Sequence, residues 1–233
     1  MEELKDDLSN YNPKDYDSPS VTVDIAILSI IENDLKILLI KRKYPPFRGY
    51  RAIPGGFVDI YRNETLEETA LRELMEETNL KGIYVEQLKT YGDPNRDPRK
   101  RVITVAYFAL VPYNLLKKLD IKAGDDAEDA QWFSLKKLPH LAFDHKKILK
   151  DLCIRLEGKV SYTDIAFKLL PKKFTWSQLQ EVYEIILGRP LLRANFRRKI
   201  RSMYVLKELK EYKKQKGAGR PPLLLKYVRI NKL

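Results

Sequence analysis

Residues 55–80 read GGFVDIYRNETLEETALRELMEETNL, and this stretch decides how the remainder of the 233-residue chain is understood. It opens on paired glycines and turn-forming residues, then changes character. From Glu64 to Asn79 nearly every residue is a strong helix former. Leu66, Ala70, Leu71 and Leu74 make an apolar stripe at helical spacing, and Asn79 is placed to be a left-handed C-cap. The spacing predicts a helix over 64–79. On that helix Glu73, Glu76 and Glu77 stand at i, i+3 and i+4, so three carboxylates share one face. Like charges held so close repel one another. The cluster is therefore either solvated or neutralised by a cation, and an oxygen-only donor set suits Mg²⁺ or Mn²⁺.

Working outward, SVTVDIAILSII and LKILLIKRK upstream read as two strands joined at Glu32-Asn33-Asp34. The segment YPPFRGYRAIPGGF reads as a loop punctuated by proline and glycine. Downstream, IYVEQLKTYG, RVITVAYFALVP and AQWFSL read as strands, and LPHLAFDHKKILKDLCIRLEG as a turn leading into a helix. Strands, a central acidic helix, more strands and a closing helix make an α/β (α+β) sandwich over 21–157, after a flexible N-terminus at 1–20.

The last third differs in charge and in pattern. From Arg155 onward there are 20 Lys and Arg against 6 Asp and Glu, whereas residues 1–154 hold 24 against 26. A compact module this basic attracts phosphate polymers. A merely solvated basic tail would be of low complexity, and this one is full of Leu, Ile, Tyr and Phe. SYTDIAFKLL reads as a short amphipathic helix. Thr175 with Gln178 forms a capping box for TWSQLQEVYEIIL, which Gly188 and Pro190 stop. A third helix, LLRANFRRKIRSM, places Leu192, Phe196 and Ile200 at i, i+4 and i+8, toward a core. Arg193, Asn195, Arg197, Arg198, Lys199 and Arg201 surround that stripe and suit phosphate and base-edge contacts. Two strand-like runs, YVLKELKEY and LLLKYVRI, flank a basic turn with Lys213, Lys214, Lys216 and Arg220. Residues 158–233 thus have the layout of a small winged helix-turn-helix that binds double-stranded DNA.

The stretch at 55–80 resembles the Nudix box, with Gly56 as its glycine, Glu64 its first glutamate, Arg72 and Glu73 its Arg-Glu pair and Glu76 and Glu77 its metal-binding pair. Two departures stand out. Seven residues rather than five separate Gly56 from Glu64, and Asn79 replaces the final glycine, a change the left-handed tolerance of Asn makes mild. The resemblance implies a Nudix sandwich in which Gly56, Glu73, Glu76 and Glu77 hold Mg²⁺ or Mn²⁺ against a diphosphate, and Arg72 orients a carboxylate such as Glu64. More narrowly, TYGDPNRDPRKRVITVAYFALVP, the LAFDH stretch and the basic tail resemble the NrtR-type (Nudix-related transcriptional regulator) family. That likeness implies a homodimer, a role in NAD metabolism or, as in some relatives, in the regulation of a sugar pathway, with neither selected, and a ligand such as ADP-ribose met by Arg51, Glu64, Arg96, Arg99 and Arg101. A general base among Asp125, Asp126, Glu128 and Asp129 is also implied, with none singled out, whereas His145 is expected to cap or pack.

Two functions follow as expectations. One is a regulator that senses a nucleoside diphosphate derivative and retains hydrolysis. The other is an ADP-ribose pyrophosphatase with an ancillary basic module. The longest apolar runs are far shorter than a membrane span, the N-terminus is acidic and polar, and Cys153 is the lone cysteine, so a cytoplasmic location without membrane contact is expected.

Overall fold

The computed structural model describes residues 12, 16–118, 127–213 and 221–230, so most of the segment 1–20 lies outside the described residues. Strands β1 (Ser20–Ile31) and β2 (Asp34–Arg42) form the expected hairpin, turned by Glu32 and Asn33 at φ of 54° and 59°. They pair only between Leu28–Ile31 and Asp34–Ile37, then part. Two short strands enter the opening: β3 (Arg51–Ala52) pairs with β2, and β4 (Gly55–Phe57) pairs with β1. This segment was expected to be loop throughout, because strands of two or three residues carry no readable period. Gly55 lets β4 lie so near, since a Cβ there would collide with the Val23 carbonyl and the Asp24 side chain.

On the other side of β1, strand β6 (Val102–Leu110) runs parallel from Ser20↔Val102 to Leu28↔Leu110, and β5 (Tyr84–Tyr91) pairs antiparallel beyond it. Strand β7 (Ala127–Ser134) adds to β2 and completes a mixed seven-stranded sheet. The period-two pattern of β1 sorts the two faces. Val23, Ile25 and Ile27 join Val105, Tyr107 and Ala109 beneath helix α1 (Leu66–Thr78), which contributes Ala70 and Leu74. Ala26 and Leu28 join Phe108 on the opposite face beneath helix α2 (His145–Lys159), which contributes Ile148, Leu149, Leu152 and Leu156. This is the expected sandwich. Leu71, placed on the stripe from spacing, instead lies at the edge of the buried arc, 41% exposed.

The second module follows the expected order with one local change. Residues 164–169 form a 3-10 helix rather than an α-helix. Helix α3 (Trp176–Leu187) carries the Thr175–Gln178 capping box and ends at Gly188 with φ 65°, and helix α4 (Arg193–Met203) leads into the hairpin of β8 (Tyr204–Tyr212) and β9 (Leu223–Ile230). The mixed α/β sandwich is therefore followed by a winged helix. Phe196 and Ile200 are buried as expected, but Leu192 is not: it is 75% exposed. Leu192 is the N-cap, with extended φ −69° and ψ 118°, so its side chain leaves the helical register that would have turned it inward. Ile148, Leu152, Phe174, Val182, Phe196 and Leu225 belong to one continuous hydrophobic cluster, so the two modules are packed on a common core. Among the described residues no helix is long and apolar enough to cross a membrane.

Candidate functional site

Helix α1 begins at a Thr65–Glu68 capping box and ends at Asn79 in the left-handed conformation, φ 54° and ψ 26°. These ends fix the rotation of the acidic face. Glu73 and Glu77 turn inward and are buried, whereas the Glu76 side chain is half exposed. Arg72 ties the face together: Nε donates to Glu64 at 3.1 Å, and Nη1 donates to Glu73 at 2.9 Å and to Glu76 at 3.2 Å. Burial pushes the Glu73 carboxyl up to about 6, with Arg72 pulling against it and Glu76 and Asp24 adding to it.

Gly56 stands against this face. A Cβ on it would lie 2.5 Å from Glu73 Oε1, so only glycine permits so close an approach. The loop lengthened to seven residues does not move Gly56 away. Residues 58–63 fold on themselves, with the Tyr61 amide donating to Asp59 Oδ1 at 2.9 Å and Arg62 Nε to Asp59 Oδ2 at 3.0 Å. Among the described residues no three acidic, histidine or cysteine side chains enclose a common point as they stand, because Arg72 draws Glu73 and Glu76 to itself. The donor chemistry nonetheless fits a hard divalent cation: buried carboxylates, one with its proton affinity raised, beside a glycine cradle that a Cβ would fill.

Behind Gly56 a cleft of about 140 Å³ opens between β1, β4 and the loops before β6 and α2. Its floor is a buried charge cluster. Arg96 makes a bidentate pair with Asp144, at 3.1 and 2.7 Å, and lies 3.5 Å from Asp24. Asp24 Oδ2 accepts from Thr104 Oγ1 at 2.7 Å. His145 Nδ1 accepts the Ile53 amide at 2.9 Å, so in the neutral ring the proton is on Nε2, which faces Asp24 Oδ1 at 3.7 Å. Burial lowers the His145 pKa and keeps it neutral. The rim is aromatic and cationic. The Arg42 guanidinium lies 4.9 Å from the Phe143 ring, and Arg99 lies 5.5 Å from Phe57 and 5.9 Å from Phe143 while paired with Asp97 at 2.8 Å.

The arginines proposed from sequence are thus divided. Arg96 and Arg99 line the cleft, Arg96 as a buried strut. Arg101 is exposed and outside the cleft wall, and Arg51 is drawn away to Asp129 at 2.8 Å and Gln131 at 3.2 Å. Asp125, Asp126 and the Glu128 side chain lie outside the described residues, and Asp129 is engaged by Arg51. Sequence reasoning passed over Asp24, Arg42, Phe57, Phe143 and Asp144. Asp24 had a signal, being an acid inside an apolar strand, where a charge persists only with partners.

On helix α4, Arg193, Asn195, Arg198, Lys199 and Arg201 are exposed. Arg197 and Arg201 are stacked over the Trp176 ring at 5.3 and 5.4 Å, which aligns them along the flank of the helix. Lys214, Lys216 and Arg220 lie outside the described residues.

Comparison with known proteins agrees with this arrangement. The NUDIX domain model matches residues 21–152, and the NrtR DNA-binding winged helix domain model matches residues 166–226. The chain is 38% identical over 220 residues to the ADPR responsive transcriptional repressor NtrR of Acinetobacter baylyi, covering 94% of this chain and 85% of the relative. It is 48% identical over 147 residues to an ADP-ribose pyrophosphatase of Methanocaldococcus jannaschii, covering 63% of this chain and 79% of that enzyme. A crystal structure of Shewanella oneidensis NrtR complexed with a 27mer DNA superimposes with a TM-score of 0.78 at 32% identity, covering 91% of this chain and 99% of that one. Nudix pyrophosphatases of this kind generally use divalent metal ions. With the acidic helix, the cleft and the basic winged helix in one chain, and matches spanning nearly all of it, the chain belongs to the Nudix superfamily and, within it, to the NrtR family.

Proposed function

We propose that the chain is a cytoplasmic, homodimeric transcriptional repressor that binds ADP-ribose or a related nucleoside diphosphate derivative in the cleft, binds DNA through the winged helix, and retains hydrolysis. The observation that carries this reading is the placement of Gly56, which faces the Glu73 carboxylate on one side and the cationic, aromatic cleft on the other. A diphosphate in the cleft meets Arg42 and Arg99, and the faces of Phe57 and Phe143 suit a ribose or base. The names of the A. baylyi repressor and the S. oneidensis complex with DNA support the same assignment.

Glu73, Glu76 and Glu77 would hold Mg²⁺ or Mn²⁺ beside the diphosphate. Bound there, the metal would neutralise phosphate charge and supply a water of lowered pKa. Water adds to one phosphorus and the bridging P–O bond breaks, which divides ADP-ribose into AMP and ribose 5-phosphate. Arg72, paired with Glu73 and Glu76, would have to yield these carboxylates to the metal, and the Arg96–Asp144 pair fixes the floor on which the substrate rests. The likeness to the M. jannaschii pyrophosphatase and the complete acidic set favour retained turnover over sensing alone.

The test follows ADP-ribose cleavage with Mg²⁺ while fluorescence anisotropy reports binding to a duplex from the chain's own promoter region. Glu77→Gln is expected to lower turnover at least a hundredfold and to leave DNA binding in place. Unchanged turnover would remove the metal assignment, and DNA binding indifferent to ADP-ribose would remove the regulatory one.

A further inference from the structure

Leu192 is the residue of the second module whose placement the helical stripe does not explain. The stripe turns it toward the core, and the structure turns it out, 75% exposed. It also occupies a position where leucine is a poor choice. As N-cap of α4 it makes no side-chain cap bond, whereas helices α1 and α3 are each closed by a threonine capping box. A serine, threonine, aspartate or asparagine at 192 would bond the free amides of the first turn and spare water an isobutyl group. Neither local propensity nor burial accounts for the leucine.

Its surroundings name the partner. Arg193, Asn195, Arg198 and Lys199 on the same helix are all exposed, and Arg198 Nη2 lies 3.4 Å from Asn195 Oδ1. That is chemistry for a polyanion with readable edges. Ala194, also exposed, keeps the same turn narrow. In a helix-turn-helix the N-terminal residues of the recognition helix are those that meet base edges in the major groove. The hydrocarbon that groove offers a leucine is the C5-methyl of thymine.

We propose that Leu192, flanked by Ala194, reads thymine methyl groups and so supplies part of the sequence specificity of this protein. The proposal rests on the DNA-binding reading given above. It divides the labour on α4: Arg193, Arg198 and Lys199 meet phosphates and base acceptors, Arg197 and Arg201 are held along the flank by Trp176, and Leu192 selects A·T pairs without a hydrogen bond.

The test uses the full-length protein and a duplex that the wild type recovers from a randomised pool. Each thymine is replaced in turn by deoxyuridine, which removes the methyl and leaves every hydrogen-bonding edge intact. At one or two positions the wild type should bind the deoxyuridine duplex about three- to fivefold more weakly, as expected for one buried methyl. Leu192→Ala should bind both duplexes alike, whereas Leu192→Met, which keeps hydrocarbon at the site, should preserve the preference. Deoxyuridine without effect at every position, or an equal penalty in Leu192→Ala, would overturn the proposal. So would a uniform loss in Leu192→Ala with the thymine preference unchanged, since that reports only a weakened helix start. Recovery of no duplex at all is a different result, and it would overturn the DNA-binding reading itself.

Discussion

Gly56→Ala is the smallest change that strikes the acidic site. The added Cβ would lie 2.5 Å from Glu73 Oε1 and 3.3 Å from its Cδ, where ordinary contact begins at 3.4 Å. The shortfall at Oε1 is about 0.9 Å, and β4 cannot retreat because its ladder with β1 fixes Gly56 opposite Val23. The Glu73 side chain must therefore swing, and it loses the 2.9 Å bond from Arg72 Nη1 as it does so. A charge-assisted bond of this kind contributes about 1.5–3 kcal/mol, so the variant should be destabilised by about that much or less, since solvent at the partly open site can replace some of it. The functional loss should be larger. A displacement approaching 1 Å of a group that positions the reaction costs about a hundredfold in rate. The assay is ADP-ribose turnover across a Mg²⁺ titration, alongside thermal unfolding and DNA binding without ligand. Turnover and Mg²⁺ dependence equal to wild type would refute the argument that Gly56 is required by close approach to a working Glu73.

Two further outcomes test the cleft floor. Arg96→Ala removes a guanidinium only 4% exposed and leaves Asp144 and Asp24 buried near one another; stability measured by urea unfolding should fall by about 3–5 kcal/mol, and a loss under 1 kcal/mol would contradict the buried pairing. His145 is held neutral by burial, against the pull of Asp24 and Asp144 and with that of Arg96 and Arg42. Because its folded pKa lies below the unfolded value of 6.5, its contribution is fully present above pH 6.5 and is lost as pH falls through that value. Between pH 6.5 and 5.5 the wild type should lose up to about 1 kcal/mol more than His145→Gln does, and parallel pH profiles for the two would contradict the assignment.

What the sequence disclosed, and what it withheld, divides along physical lines. Long elements with a strong period were legible almost to the residue: β1, the acidic helix with its Asn79 cap, and α3 with its Thr175–Gln178 box. The carboxylate face was legible as well, because i, i+3, i+4 spacing is a local fact, whereas the Arg72–Glu64 pairing, eight residues apart, was implied only by the resemblance to the Nudix box. The cleft was not legible. Its walls come from β1, β4, the loop before β6 and the loop before α2, and no local pattern says that Asp24, Arg96, Asp144 and His145 meet. Nor does any local pattern show that Arg51 meets Asp129, seventy-eight residues away in sequence. Leu192 was misplaced because periodicity assumes helical backbone, and an N-cap residue does not have it.

The hydrophobic cluster that runs from Ile148 through Val182 to Leu225 has a consequence for how such a chain can be altered. Each module is recognisable alone as a stretch of letters, yet in this chain the two share one interior. A recombinant that joined this sandwich to another family member's winged helix would keep both motifs and still mismatch the seam between α2 and α3, where Leu152 and Leu179 belong to the same interior. The unit of inheritance is the seam as much as the motifs. Nor does the shared interior supply a slack tether by which one half could swing while the other stays put. Ile53 in the cleft wall and Ile200 beneath α4 belong to that one interior, so a displacement at either is felt by closely packed neighbours rather than lost in a hinge.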